Sequence, residues 1–194
     1  MSLFKKKNKG GVVEMTTEQL NDLVEVKRSP VGITLLIVNI VGCLMTLFHM
    51  YCAGIKTLDV MQFRSIHVAL GLFIIFIIYP MSKKSSREKV PVWDWILAIV
   101  SLVPTLYIAT QFKALAQRAG MVTTMDLVMG LLLIVLILVA ARRVVGLTLV
   151  CIAGFFIIYT IFGNYFPAMI AHRGASLSGL VRHMIYSTEG VFGV

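Results

Sequence analysis

Charged residues are scarce in this chain: 14% of its 194 residues are Asp, Glu, Lys or Arg, whereas 58% are hydrophobic. Soluble domains carry about 25% charged residues, so the composition excludes that class. The apolar residues come in blocks of about 16 to 24, the length at which an α-helix crosses roughly 30 Å of hydrocarbon. Membrane-spanning strands would be shorter and would alternate polar with apolar residues. The sequence therefore predicts an all-α integral membrane protein with about five transmembrane helices.

Cysteine is also scarce, and the spacing of the three cysteines does not indicate a metal site. Cys43, Cys52 and Cys151 lie in or beside apolar runs without a CxxC pair, so we expect thiols that pack as small hydrophobic groups. The sequence has no nucleophile elbow, phosphate loop, paired-carboxylate site or zinc-type cluster. We therefore expect no enzymatic activity, no cofactor and no metal site.

The basic charge of the chain does not point to nucleic acid. The formal net charge is +9, but the lysines and arginines lie between hydrophobic blocks rather than on one face of a folded module. We therefore expect the lipid bilayer, and no nucleic acid, as a partner.

The helical pattern divides the chain into three parts. Residues 1–29 contain a basic tail, predicted to be disordered through Gly11, and a short helix that begins near Thr16. Residues 30–141 contain a four-helix unit, and residues 142–194 contain an arginine hinge, a fifth helix and an outer segment. The predicted helices cover residues 31–54, 64–81, 92 onwards, 123–141 and 144–165.

One proline and two glycines predict further details of these helices. Pro104 lies in the middle of the third helix, where it removes a backbone hydrogen bond and predicts a kink. Gly146 and Gly154 lie on roughly the same side of the fifth helix, which predicts close contact with a neighbouring helix.

Six residues are predicted topology and interface anchors. Lysines and arginines concentrate in alternate loops, and the richer set belongs in the cytoplasm, which places the N-terminus inside. Trp93 and Trp95 mark a membrane interface at the start of the third helix. The six anchors are Lys83, Lys84, Trp93, Trp95, Arg142 and Arg143.

Few ionisable residues lie within the spans. Asp94 and Asp126 stand at helix starts, where capping and headgroup water account for them. Arg142 and Arg143 are expected to snorkel to the interface. His49 and His67 lie towards the same outer face, and two such histidines could ligate a haem in a redox membrane-anchor subunit.

An ordered set of short motifs resembles the N-terminal part of fused permeases of the tripartite ATP-independent periplasmic (TRAP) transporter family, of the type that pairs with a TAXI-class binding protein. The resemblance covers residues 27–194. It consists of Tyr79-Pro80 before a basic loop, Trp93-Asp94, Arg142-Arg143 with Gly146, Tyr159, Phe162-Gly163, Pro167, His172 and a closing Glu189-Gly-Val-Phe-Gly193.

The resemblance implies a role in secondary, ion-gradient-driven uptake of organic acids or amino-acid-like anions. In that family a small helical scaffold is fused ahead of a large part that holds the sodium and substrate sites, and a periplasmic binding protein delivers the substrate. Here the first four helices would be the scaffold, Arg142-Arg143 the fusion point and the fifth helix the opening of the large part. We therefore expect a multi-pass protein of the bacterial inner membrane, with substrate-binding residues in the large part.

Where family members continue for hundreds of residues, this sequence stops at Val194, and Pro167-Ala168 replaces an expected Pro-Gly. The expectation is a fragment that does not transport alone. The alternatives are a stand-alone small permease subunit with a separate large partner, and the redox anchor that uses His49 and His67.

Overall fold

The computed structural model describes residues 4–8, 11–15, 27–82, 85–118, 121–187 and 189–193. Within them, five helices are long and apolar enough to cross a membrane. They are α1 (Ile33–Gly54), α2 (Val60–Ile78), α3 (Val92–Gln117), α4 (Thr124–Val144) and α5 (Leu147–Phe162), the last continued by a 3-10 turn (Gly163–Tyr165). The prediction of a multi-pass, all-α membrane protein is confirmed.

Helix ends follow the local chemistry of the sequence. Tyr79 ends α2 directly before Pro80, which cannot continue a helix. Thr123 and Asp126 form the expected capping box at the start of α4, with each side chain accepting the other residue's backbone N–H. Pro104 lies buried inside α3, and the kink there stays a prediction.

Gly146 and Gly154, which were predicted to allow close contact between the fifth helix and a neighbour, have different roles. Gly146 precedes α5 with a φ of 104°, a conformation that favours glycine, and makes the turn from α4 into α5. A Cβ added at Gly146 or Gly154 would meet nothing within 4 Å among the described residues. The predicted close contact is therefore wrong, because one glycine supplies a turn and the other faces open space.

The N-terminal residues differ from the predicted disordered tail. Strands β1 (Phe4–Asn8) and β2 (Gly11–Met15) form an antiparallel ladder that sets Lys5 opposite Glu14. The β-branched Val12 and Val13 favour this extended conformation. The helix predicted from Thr16 lies outside the described residues.

Three helices carry most of the packing. α3 lies along α2, and α4 packs against both, whereas α1 packs chiefly on α2 and α5 on α4. α1 buries only Val38 and Cys52, and α5 buries none of its described side chains. Fully buried core residues include Phe76, Ile77, Ala98, Ile108 and Leu133. The bundle therefore has a tight α2–α3–α4 core and two peripheral helices with wide apolar faces.

A sixth helix, α6 (Leu177–Ile185), folds back on the start of α4. Its apolar face buries Leu180, Val181 and Ile185, and a Cβ at Gly130 would lie 2.3 Å from Val181 Cγ1. Gly130 is therefore the position that lets α6 approach α4.

We expect Gly130→Ala to destabilise the protein by about 1–3 kcal/mol, because the added methyl overpacks the contact with Val181. Gly154→Ala is the matched control: it makes the same change in a helix with open space, and it should be neutral or stabilising by roughly 0.5–1 kcal/mol. Thermal unfolding in detergent, together with trypsin cleavage at Arg182, measures both effects. Equal melting temperatures and equal cleavage for the two variants would contradict the assigned α4–α6 contact.

Candidate functional site

The most distinctive polar feature is a buried cluster of Arg28, Asp94 and Arg143. Arg28 precedes α1, Asp94 lies in the first turn of α3 and Arg143 in the last turn of α4. These three points of the chain meet at one end of the bundle, the end that the charge pattern predicts to be cytoplasmic.

The carboxylate of Asp94 lies between the two guanidinium groups. Arg28 Nη2 is 2.6 Å from Asp94 Oδ2, and Arg143 Nη1 is 2.8 Å from Asp94 Oδ1. The exposed fractions of the side chains are 0% for Arg28, 4% for Asp94 and 1% for Arg143. Each carboxylate oxygen thus has its own cation, and the cluster carries one net positive charge.

Arg28 extends the cluster to the loop between α2 and α3. Its side chain donates to the carbonyl of Ile77 at 3.1 Å and of Ser86 at 3.3 Å, and to Ser85 Oγ at 3.1 Å. Its backbone N–H donates to the Ile78 carbonyl at 2.8 Å. Arg28 therefore fixes the entry to α1 against the end of α2.

Arg143 binds the same end of α2 from the other side. Its Nη1 donates to the carbonyls of Phe76 at 3.4 Å and Tyr79 at 3.2 Å, which lie where a helix leaves its last carbonyls without intrahelical partners. Its guanidinium carbon lies 4.9 Å from the centre of the Phe76 ring, a cation–π arrangement. Its Nε and Nη2 have no hydrogen-bond acceptor among the described residues.

The predicted anchors therefore have unequal roles. Arg142 is exposed, and Trp93 is 76% exposed. Trp95 is half-buried against the Phe73 ring. Arg143 does not snorkel to the interface and Asp94 is not left to headgroup water, because the two charges pair with each other. Lys83 and Lys84 lie outside the described residues.

A second polar group lies at the opposite end of the bundle, around Asp126. Its carboxylate accepts from Tyr107 Oη at 2.6 Å and from Arg118 Nη1 at 3.0 Å, in addition to the Thr123 cap. Tyr186, which follows α6, donates its hydroxyl to the Asp126 carbonyl at 2.6 Å. Burial and the nearby Asp126 charge raise the pKa of Tyr186, so the hydroxyl keeps the proton that it donates. This group fastens the start of α4 to α3 and to the outer segment.

The two histidines considered as haem ligands, His49 and His67, contact each other directly. His49 Nδ1 lies 2.6 Å from the Met45 carbonyl, which can only accept, so in a neutral His49 ring Nε2 is the acceptor for His67 Nδ1–H at 3.0 Å. Two imidazoles on opposite sides of one metal need about 4 Å between their ligating nitrogens, at roughly 2 Å per bond. The hydrogen-bonded pair does not fit a shared haem iron in this arrangement.

Two further grooves are apolar. A groove of about 470 Å³ lies between α4, α5 and α6, lined mainly by aliphatic and aromatic side chains, and a groove of about 340 Å³ lies between α2 and α4. Within the described parts of the chain, no three His, Cys, Asp or Glu side chains come together as a metal site would require.

Comparisons with protein-family models, curated proteins and solved structures give no match to this chain. The resemblance to TRAP permeases therefore remains a prediction from the sequence. The cluster itself could have been anticipated only in part: Asp94 and Arg143 were visible as opposite charges at apolar borders, but nothing local marked Arg28 as their third member.

We expect Asp94→Asn to lower the free energy of unfolding by about 3–5 kcal/mol, because it leaves two buried arginines without their carboxylate. Chemical unfolding in mixed micelles, followed by circular dichroism, measures the change.

Asp59→Asn is the matched control. Asp59 caps α2 by accepting the Met61 N–H, and asparagine caps a helix about as well, so we expect a change within a few tenths of a kcal/mol. Equal stability of Asp94→Asn and Asp59→Asn would show that the buried cluster is not a stabilising link.

Proposed function

We propose that this chain is the membrane-scaffold portion of a secondary active transporter of the TRAP type in the bacterial inner membrane. It supports a large permease part that takes up organic acids or amino-acid-like anions, driven by an ion gradient and supplied by a periplasmic TAXI-type binding protein. The N-terminus lies in the cytoplasm.

The observation that carries this proposal is the Arg28–Asp94–Arg143 cluster. It uses the buried charges of one bundle end to connect the entry of α1 with the ends of α2, α3 and α4. A structure that must stay fixed while a neighbouring domain moves needs such links between its helix ends. Buried charge that is paired across helix ends is suited to support rather than to binding a transported ion.

The contacts among the residues of the resemblance also support it. Asp94 binds Arg143, and Arg143 binds the carbonyl of Tyr79. At the other end of the membrane Tyr159 packs against His172, with ring centroids 4.7 Å apart. Residues far apart in sequence thus act together, as expected for a pattern that serves one architecture.

The peripheral helices offer surfaces for a larger partner. α1 exposes Leu36, Leu44 and Met50, and α5 exposes Phe155 and Phe156. In the proposed assembly the apolar face of one of these helices packs against the large permease part and the other faces lipid. The same surfaces would serve a stand-alone small subunit.

Reconstituted vesicles test the proposal. With an inward sodium gradient and labelled succinate or glutamate, the chain alone should give no saturable uptake above empty vesicles. The same chain combined with the large permease part and the TAXI-type binding protein of a TRAP transporter should co-purify with that part and restore sodium-dependent uptake.

Two variants test whether binding and uptake depend on the buried cluster. Asp59→Asn should support uptake as the unchanged chain does, whereas Asp94→Asn should reduce both co-purification and uptake. Saturable sodium-dependent uptake by the chain alone would contradict the scaffold role, as would failure of the folded chain to bind a large permease part.

A further inference from the structure

The larger of the two apolar grooves, between α4, α5 and α6, has a length that matches one leaflet of a bilayer. On α5 its lining extends from Leu149 to Thr160, a distance of roughly 16 Å at 1.5 Å per residue. The hydrocarbon core of a bilayer is about 30 Å thick, so the acyl chains of one leaflet occupy about 15 Å. The groove therefore has the length of one acyl chain.

α6 walls the groove at one end only. Val181 of α6 packs against Gly130, near the start of α4, so its neighbours Leu180 and Met184 line the groove at that end. At the other end, next to the turn from α4 into α5, the described lining residues come from α4 and α5. This second end is the mouth of the groove, and it lies at the end of the bundle that is predicted to be cytoplasmic.

The groove offers few polar partners to an occupant. Thr160 and His183 are the polar residues of its described lining, and both lie at the α6 end. The Thr160 hydroxyl already donates to the Phe156 carbonyl at 2.8 Å. Water is a poor occupant of such a groove, because an ordered water needs two to four polar partners. The lining therefore favours hydrocarbon.

The width of the groove distinguishes an acyl chain from a protein helix. About 470 Å³ spread over roughly 16 Å gives a mean cross-section of roughly 30 Å². A helix with its side chains has a diameter of about 10–12 Å, and hence a cross-section of roughly 80–110 Å². A helix of a second copy or of another protein is therefore too wide to enter the groove, whereas a single unbranched hydrocarbon chain is narrow enough.

A cation lies at the mouth of the groove. Leu138 lines the groove from α4, and Arg142 follows it by four residues, on the same face of the helix. Arg142 is exposed and, unlike Arg143, forms no side-chain hydrogen bond or ion pair with a described residue. Its charge is therefore available to an anionic group in the headgroup layer, directly above the apolar groove.

We propose that the groove between α4, α5 and α6 binds one acyl chain of an anionic glycerophospholipid, with the lipid phosphate beside Arg142. Basic residues beside a pocket between membrane helices bind anionic headgroups by charge. A zwitterionic lipid would fill the groove equally well, but its headgroup carries its own cation and gains less from Arg142. This site is independent of the proposed transport role.

Retention of lipid by the full chain tests the preference for an anionic headgroup. The chain is reconstituted in nanodiscs of equimolar phosphatidylglycerol and phosphatidylcholine with identical acyl chains, released into mild detergent and weighed by native mass spectrometry. We expect one phosphatidylglycerol to stay bound, several-fold more often than phosphatidylcholine. Equal retention of the two lipids, or retention of neither, would overturn the proposal.

The position of the phosphate is tested by neutralising single cations. Arg142→Gln should lower the retention of phosphatidylglycerol to that of phosphatidylcholine, because the groove stays intact while its cation is lost. Arg173→Gln is the matched control: it removes an exposed arginine from the segment after α5 and should leave the several-fold preference unchanged. A preference that survives Arg142→Gln would show that the phosphate does not lie beside this residue.

A pair of phenylalanine substitutions tests the groove itself. Ala153 lines the groove, so Ala153→Phe fills it and should lower the retention of phosphatidylglycerol at least several-fold. Ile152, the preceding residue of α5, is 50% exposed and lies outside the described lining, so Ile152→Phe should retain lipid as the unchanged chain does. Thermal unfolding in detergent checks that both variants are folded. Undiminished retention by folded Ala153→Phe would show that the acyl chain lies elsewhere.

Discussion

The Asp94 carboxylate, held between Arg28 and Arg143, is the constraint on which one end of the bundle depends. Isolated charges are expensive to bury, and such a cluster persists only where each charge has a partner and further hydrogen bonds. Here the arginines also bind the carbonyls of Ile77, Phe76 and Tyr79, so the free helix end of α2 becomes part of the cluster. Helix dipoles add to this arrangement, because Asp94 lies at a helix start and Arg143 at a helix end.

At the opposite end of the bundle, a different polar group, centred on Asp126, connects the helices. Asp126 joins α3 and α4 through Tyr107 and Arg118, and its backbone carbonyl receives Tyr186. Between the two polar ends, α2, α3 and α4 pack mainly through aliphatic and aromatic side chains, and Ser65, Ser101 and Thr105 are also buried there. α1 and α5 have few such constraints and expose much of their surface. This contrast between a tight core and open peripheral helices supports the proposed role beside a larger membrane partner.

Sequence patterns predicted the spans well, because hydrophobic length, Pro80, Pro91 and the Thr123 cap act locally. Side-chain partners were harder to predict. Arg143 and Asp94 each had an adequate local explanation, as a topology signal and a cap, and only the packing of α3 beside α4 shows that they are partners. The same holds for Gly154, whose predicted role failed because the adjacent surface is open. His172 and Gly163, whose backbone groups are hydrogen-bonded, could not be paired from spacing, since the chain between them has no regular period.

Hydrogen–deuterium exchange of the unmodified chain in lipid nanodiscs tests most directly whether the charge cluster orders its end of the bundle. Arg28 and Ser29 lie outside any helix, and their backbone amides donate to the carbonyls of Ile78 and Arg87, respectively. We expect these amides to exchange as slowly as those in the middle of α2, because opening them requires disruption of the buried cluster. Exchange of both amides within seconds, as in an unstructured loop, would contradict the claim that Arg28, Asp94 and Arg143 link the helix ends into one rigid support.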